Sequence, residues 1–170
     1  MNRIYMPALL LVLFSSCMNN TSDPKQEKAQ PAPAPRILNN IELQTKELTV
    51  SSAYLINGAD ETLVPPTNKV AVGQPVKLRL LITRGWKEQK GTVSIGASET
   101  ITTFDGQVLL HTDDVFKDVK QLDANDAHII TLTATITTMK KETDYFVVSF
   151  RIWDKNGPAQ IQGRYRLYVS

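Results

Sequence analysis

The chain has 170 residues, with 19 Lys and Arg against 17 Asp and Glu, for a formal net charge of +2. That near-balance removes any global electrostatic case for nucleic acid or for an acidic polymer. A single cysteine excludes a disulfide framework, so the globular part must be held by one apolar core, and its length of about 130 residues suits a single domain.

The N-terminal stretch carries Arg3, an apolar run from Met6 to Phe14, and the small residues Ser15 and Ser16 directly before Cys17. A basic start, an apolar stretch of ~7–15 residues and small residues at the cut form the secretory-signal pattern. The run is less than half the ~20 residues that a membrane-spanning helix needs. Residues 1–16 are therefore expected to be a cleaved address.

Leu13-Phe14-Ser15-Ser16-Cys17 resembles the lipobox of bacterial lipoproteins, with the relaxed consensus familiar in Bacteroidetes, since Phe14 stands where the family prefers an aliphatic residue. The resemblance implies acylation of Cys17, cleavage before it, and attachment to a membrane. Several acyl chains, at ~0.8 kcal/mol per buried methylene, hold a protein on lipid essentially permanently. Met18-Asn19-Asn20-Thr21-Ser22 contains no aspartate of the inner-membrane retention type, which implies the outer membrane. The first charges, Asp23, Lys25, Glu27 and Lys28, are mixed in sign and leave open which side of that membrane the domain faces.

Residues 17–40 read as an acylated N-terminus and a proline-rich tether. The alternation Pro31-Ala32-Pro33-Ala34-Pro35 favours an extended polyproline II spacer of ~3.1 Å per residue.

From Ile41 the pattern changes to period two. Leu48, Val50, Ser52, Tyr54 and Ile56 are expected on one face of a strand that stops at the turn signal Asn57-Gly58. Residues 60–68 form a loop around Pro65-Pro66. Val76, Leu78, Leu80 and Ile82 then alternate with Lys77, Arg79, Leu81 and Thr83. A strand with Val93, Ile95 and Ala97 on one side leads through Phe104 to the hairpin signal Asp105-Gly106 and a return over 108–111. Residues 112–127 are expected to be a structured loop with a short helix covering one edge, since Thr112 could cap a turn and Val115, Phe116, Val119 and Leu122 are roughly helically spaced.

The last third is plain alternation. Ile130, Leu132, Ala134 and Ile136 face one way with threonines opposite, and Phe146, Val148, Phe150 and Ile152 do the same before the turn 154–158 and a final strand over 161–169. About seven or more short strands with regular turn signals argue for an all-β, antiparallel sandwich over 41–170. The arrangement resembles an immunoglobulin-like β-sandwich over about residues 45–170, with Tyr145 where that fold often places its corner tyrosine. The whole chain is similar to small Bacteroidetes lipoproteins with one such domain, and that resemblance implies no activity.

Neither His111 nor His128 lies in a nucleophile motif such as G-x-S-x-G. Asp113, Asp114, Asp118, Asp123, Asp126 and Asp144 are candidate acids, but neighbouring loop positions do not by themselves aim two carboxylates at one atom. Asp123-Ala124-Asn125-Asp126 and the turn 154–158 resemble cadherin calcium segments. The partner acidic motifs are missing, and Asp and Asn are good turn residues, so no cofactor is expected, with Ca2+ the one ion worth weighing.

The outward side of the final hairpin carries Tyr145, Arg151, Trp153, Arg164, Arg166 and Tyr168 if the pairing is regular. Arg and aromatic residues are enriched at interface hot spots, while arginine stacked on an aromatic ring is also an ordinary way to solubilise a sheet face. The sequence leaves both readings open. The expected function is non-catalytic: a lipid-anchored envelope protein that binds another envelope protein or an extracellular ligand, and no nucleic acid. The alternative is an accessory lipoprotein subunit of an envelope secretion or transport machine. Cys17→Ala is expected to abolish acyl labelling and release the protein from membranes or leave it unprocessed; persistent labelling would contradict the anchor.

Overall fold

A computed structural model describes residues 33–137 and 145–169. The signal segment, Cys17 and the tether as far as residue 32 lie outside the described residues, as does Asp144. Among the described residues the alternating segments become twelve strands. The first half holds β1 (Arg36–Ile37), β2 (Glu42–Lys46), β3 (Thr49–Asn57), β4 (Lys69–Val70), β5 (Pro75–Arg84) and β6 (Thr92–Val93). The second holds β7 (Ile95–Thr103), β8 (Val108–Thr112), β9 (Leu122–Asp123), β10 (Ile129–Thr135), β11 (Phe146–Asp154) and β12 (Gln160–Val169), with one 3-10 turn at Asp126–His128.

Two sheets form an antiparallel β-sandwich. One has the order β1-β3-β5-β10 and the other β2-β12-β11-β7-β8, with β4 also paired to β12. The short strands β1 and β4 run parallel to their partners β3 and β12, and β6 pairs β9 antiparallel in a small separate two-stranded sheet. Period two decides which side of each strand is dry. Val76, Leu78, Leu80 and Ile82 of β5 and Ile130, Leu132 and Ala134 of β10 are buried from the first sheet. Phe146, Val148, Phe150 and Ile152 of β11, with Ile161, Tyr165 and Leu167 of β12, meet them from the second.

The structure corrects the sequence reading at four places. The fold begins before residue 41, because Arg36 and Ile37 pair with Ser52 and Ala53, and Asn39 is buried. The second place is β3, where Val50 faces Ile82 but Ser52 faces Leu81, so Ser51 is an extra, bulged residue. The bulge reverses the alternation, and Ala53 and Leu55 enter the core in place of Ser52 and Tyr54. Ile56 stays buried on the other side because the loop folds back over it, with Val64 N–H donating to Leu55 O at 3.0 Å and Leu63 bridging Ile56.

The third is 113–121, which follows the edge of β7 as turns and not as a helix. Val115 N–H donates to Ala97 O at 2.6 Å, and the Asp114 carboxylate accepts from the N–H groups of Ala97 and Phe116. Phe116 and Leu122 pack on the core while Val115 and Val119 stay exposed, so the helical spacing was incidental. Fourth, Tyr145 is no corner residue; its ring lies on the outer side of the sheet beside Phe104 and Tyr168.

Two buried asparagines tie the sheets together. Asn39 Oδ1 accepts from Leu55 N–H in the first sheet, and Asn39 Nδ2 donates to Val64 O and to Asn68 Oδ1, each at 3.0 Å. Asn68 Nδ2 in turn donates to Asn39 O at 2.8 Å and to Arg166 O in β12 at 2.9 Å. Both residues sit at positive φ, 56° and 54°, a region that asparagine tolerates better than most side chains. Asn68→Ala strips donors from two buried carbonyls and adds backbone strain. We expect a loss of about 2–3 kcal/mol in chemical denaturation, larger than for alanine at an exposed polar site such as Gln162.

Candidate functional site

The register of the second sheet builds one broad outer face. Glu42, Arg164, Ser149, Thr100 and His111 stand side by side across five strands, β2 to β8. The next row toward the end of β11 is Gln44, Gln162, Arg151 and Ser98, followed by Lys46, Gln160, Trp153 and Gly96. In the other direction come Arg166, Val147 and Thr102, and then the ring cluster of Tyr145, Tyr168 and Phe104. From Trp153 to Tyr145 is eight residues of extended chain, about 27 Å at ~3.4 Å per residue.

Arginine is seated on an aromatic ring at each end of this face. The Arg151 guanidinium lies 5.2 Å over the Trp153 ring, and its Nε donates to Gln160 Oε1 at 3.0 Å. The indole lies flat against Gly96, where any Cβ would collide with the ring; glycine is required there by close approach. Trp153 is thus in contact with both the Gly96 backbone and the Arg151 guanidinium. At the far end the Arg166 guanidinium lies 4.9 Å over the Tyr145 ring, and Tyr145 meets Tyr168 at 5.9 Å and Phe104 at 6.2 Å. Arg164, in the middle, gives both Nε and Nη2 to Glu42 Oε2, at 2.8 and 2.7 Å.

All six residues singled out on the hairpin therefore share this face. The sequence reading missed what lies between them, a floor of Ser98, Thr100, Thr102 and Ser149. It also missed Glu42 of β2 as the partner of Arg164. Their signal was only the outward phase of each alternation, which identifies neighbours once the strand order is known.

The candidate acids have local roles. Asp113 Oδ1 meets His111 Nε2 at 2.9 Å, and His111 Nδ1 meets Thr100 Oγ1 at 2.8 Å. This reproduces a hydroxyl–imidazole–carboxylate order, but in open water: the Asp113 side chain is 95% exposed. Thr100 lies within a strand whose neighbours on both sides are paired, so its backbone is committed to the ladder and offers no oxyanion donors. Asp114 also pairs with Lys155 Nζ at 2.7 Å. Partial burial works to raise the Asp114 pKa, but the hydrogen bonds from Lys155 and from the Ala97 and Phe116 amides outweigh it and hold the carboxyl below its ordinary range.

In the two segments resembling calcium loops, the oxygens serve turns. Asp154 is buried and accepts from Lys87 N–H at 2.6 Å and Asn156 N–H at 2.7 Å. Asp123 Oδ1 accepts from Asn125 N–H at 2.8 Å. His128 Nδ1 contacts Ile82 O at 2.8 Å.

Directly behind the face, on the inward side of β7, is a buried acid. Glu99 is only 4% exposed, and its Oε1 has no hydrogen-bond partner among the described residues. Burial pushes its pKa up to about 7. Tyr165, also without a partner for its hydroxyl among those residues, has its pKa raised by burial first and by the Glu99 charge second.

No protein-family model matches the chain, and no curated protein matches it. Solved structures do resemble it. The C-terminal domain of wzt aligns with a TM-score of 0.46 and 12% identity, over 81% of this chain and 82% of that one. Two variants of a superoxide reductase (neelaredoxin) from Ignicoccus hospitalis align with TM-scores of 0.37 and 0.35, at 11% and 10% identity, each over 69% of this chain and 80% of that one.

The buried acid sets a pH dependence. An acid whose folded pKa lies above its unfolded value stabilises the fold below the unfolded value and loses that contribution as pH rises toward the folded one. Stability is expected to fall between pH ~4.5 and ~7 by about 3 kcal/mol and then level off. Glu99→Gln should flatten that decline in denaturation curves taken across this range; an unchanged decline would rule out Glu99 as its source.

Proposed function

We propose that this chain is a lipid-anchored envelope protein whose β-sandwich is a non-catalytic docking module, and that the outer face of β2, β12, β11 and β7 is where its partner sits. The observation that supports this reading is the pair of arginine–aromatic stacks, at opposite ends of one polar sheet face. Charged side chains on an ordinary exposed sheet are mobile and cost rotamer entropy when a partner immobilises them. Here Arg151 is held by Trp153 and Gln160, and Arg166 by Tyr145, so much of that ordering has already occurred. Arg, Trp and Tyr are also the residue types that most often carry binding energy at interfaces.

The anchor reading of Cys17 fits this role. A module held at a membrane acts at a high local concentration of other envelope components, so modest intrinsic affinity is enough. The exposed Thr100–His111–Asp113 arrangement supports hydrogen bonding to a partner better than it supports chemistry, because nothing there excludes water or receives developing negative charge.

Crosslinking in native membranes followed by affinity purification tests the proposal. The wild-type protein is expected to capture a defined partner. The Arg151→Ala/Arg166→Ala variant should capture it at least about tenfold less well, while melting at the wild-type temperature. Equal capture by the two proteins would remove the face from the mechanism.

A further inference from the structure

We infer that the outer face of the second sheet binds an anionic polysaccharide, with Arg151 and Arg166 receiving carboxylate or phosphate groups along one chain and Arg164, engaged by Glu42, between them. The inference rests on the docking-face reading above and adds the chemistry of the ligand.

The first argument is local charge. The whole chain is nearly neutral, but the outward positions of these strands hold Lys46, Arg151, Arg164 and Arg166 against Glu42, with Asp113 beyond the end of β8. The near-balance of the sequence thus conceals an electropositive face.

The second is spacing. Arg164 and Arg166 are two residues apart on one strand, ~7 Å by strand geometry. Arg151 opposes Gln162, and Arg164 opposes Ser149, which makes Arg151 and Arg164 diagonal neighbours at ~7–8 Å. Three arginine positions thus step across two strands at nearly equal backbone intervals. That arrangement suits charges repeated along a linear chain better than a single small anion, which would call for convergent donors.

The third is presentation. The planes of all three guanidiniums are held, two by aromatic rings and one by Glu42. In Arg151 and Arg166, which the rings orient without neutralising, such held forks favour bidentate recognition of carboxylate or phosphate.

The rest of the face selects the kind of polymer. Gln44, Gln162, Ser98, Ser149 and Thr100 both donate and accept hydrogen bonds, as a hydroxyl-rich ligand requires. Single-stranded nucleic acid needs bare aromatic faces on which bases stack. Trp153 lies against Gly96 and under Arg151, and Tyr145 under Arg166, so the exposed rings, Phe104 and Tyr168, are confined to one end of the face and form no row of stacking platforms along it. An acidic peptide adding a strand would need a free sheet edge, and one read by the arginines alone would leave the hydroxyl and amide floor unused; poly-glutamate in the test below separates that occupant from a polysaccharide. β11 and β12 are paired on both sides and present side chains only.

The test titrates the full-length protein with five polymers by affinity electrophoresis and calorimetry. These are polygalacturonate, its methyl-esterified neutral form, phosphomannan, neutral mannan and poly-glutamate. At least one anionic polysaccharide should bind, more weakly as salt rises, and its neutral counterpart should not; which one binds distinguishes carboxylate from phosphate. Arg151→Gln and Arg166→Gln should each weaken binding about tenfold without changing the melting temperature, and the lysine variants should recover part of the loss.

The inference is overturned if neither anionic polysaccharide binds, if the neutral forms bind equally, if the arginine variants bind like wild type, or if poly-glutamate binds as tightly. Should membrane crosslinking still capture a partner in an arginine-dependent way after such a result, the ligand class falls and the docking face stands. If it captures none, both fall.

Discussion

The register of β11 is the constraint on which the rest depends. Its nine residues lie between β7 and β12, paired on both sides over almost their whole length. One residue in two is buried: Phe146, Val148, Phe150 and Ile152 fill the core. A slip of one residue would expose all four and bury Arg151 and Trp153, a cost of many kcal/mol at ~1.5–3 kcal/mol per apolar side chain alone. The packing that makes the domain stable therefore also fixes where every outward side chain stands. The face is a consequence of the core, which fixes the strand positions from which its arginines project.

One feature works against that stability. Glu99 occupies a core position on β7 with one oxygen unpartnered among the described residues, close enough to Tyr165 for its charge to raise the tyrosine pKa. A buried carboxyl without a partner is costly when ionised and less so when protonated, which links the core to pH in the neutral range. Against this, the Asn39–Asn68 pair satisfies backbone groups from both sheets with two side chains. It joins Leu55 of the first sheet to Arg166 of the second, just beside the Arg166–Tyr145 stack. Core, clamp and face are thus neighbours in one structure.

Near-neutral net charge carries less information about partners than its distribution. Lys77 and Arg79 on the first sheet are engaged by Glu61 from the loop that folds over β3. On the second sheet Glu42 engages Arg164 alone, while Arg151 and Arg166 are held by rings. A carboxylate partner neutralises a guanidinium, whereas an aromatic partner orients it and leaves its charge in place. The two sheets therefore carry similar numbers of basic side chains but present different surfaces.

By itself, the sequence determined the all-β class, the inward and outward phases of β5, β10, β11 and β12, and the set of six outward Arg and aromatic residues, because a two-residue period is a local property of extended chain. It also supplied the grounds for reading Cys17 as an anchor. Tertiary structure alone decided the Ser51 bulge, which reversed β3, since an unpaired extra residue is defined only against its partner strand. It likewise decided that residues 36–40 belong to the fold, because a two-residue strand and a buried asparagine have meaning only beside β3. The neighbours across the face were beyond the reach of local pattern as well. Glu42 meets Arg164 across 122 residues of sequence, and strand order, set by how the whole core closes, is what brings them together.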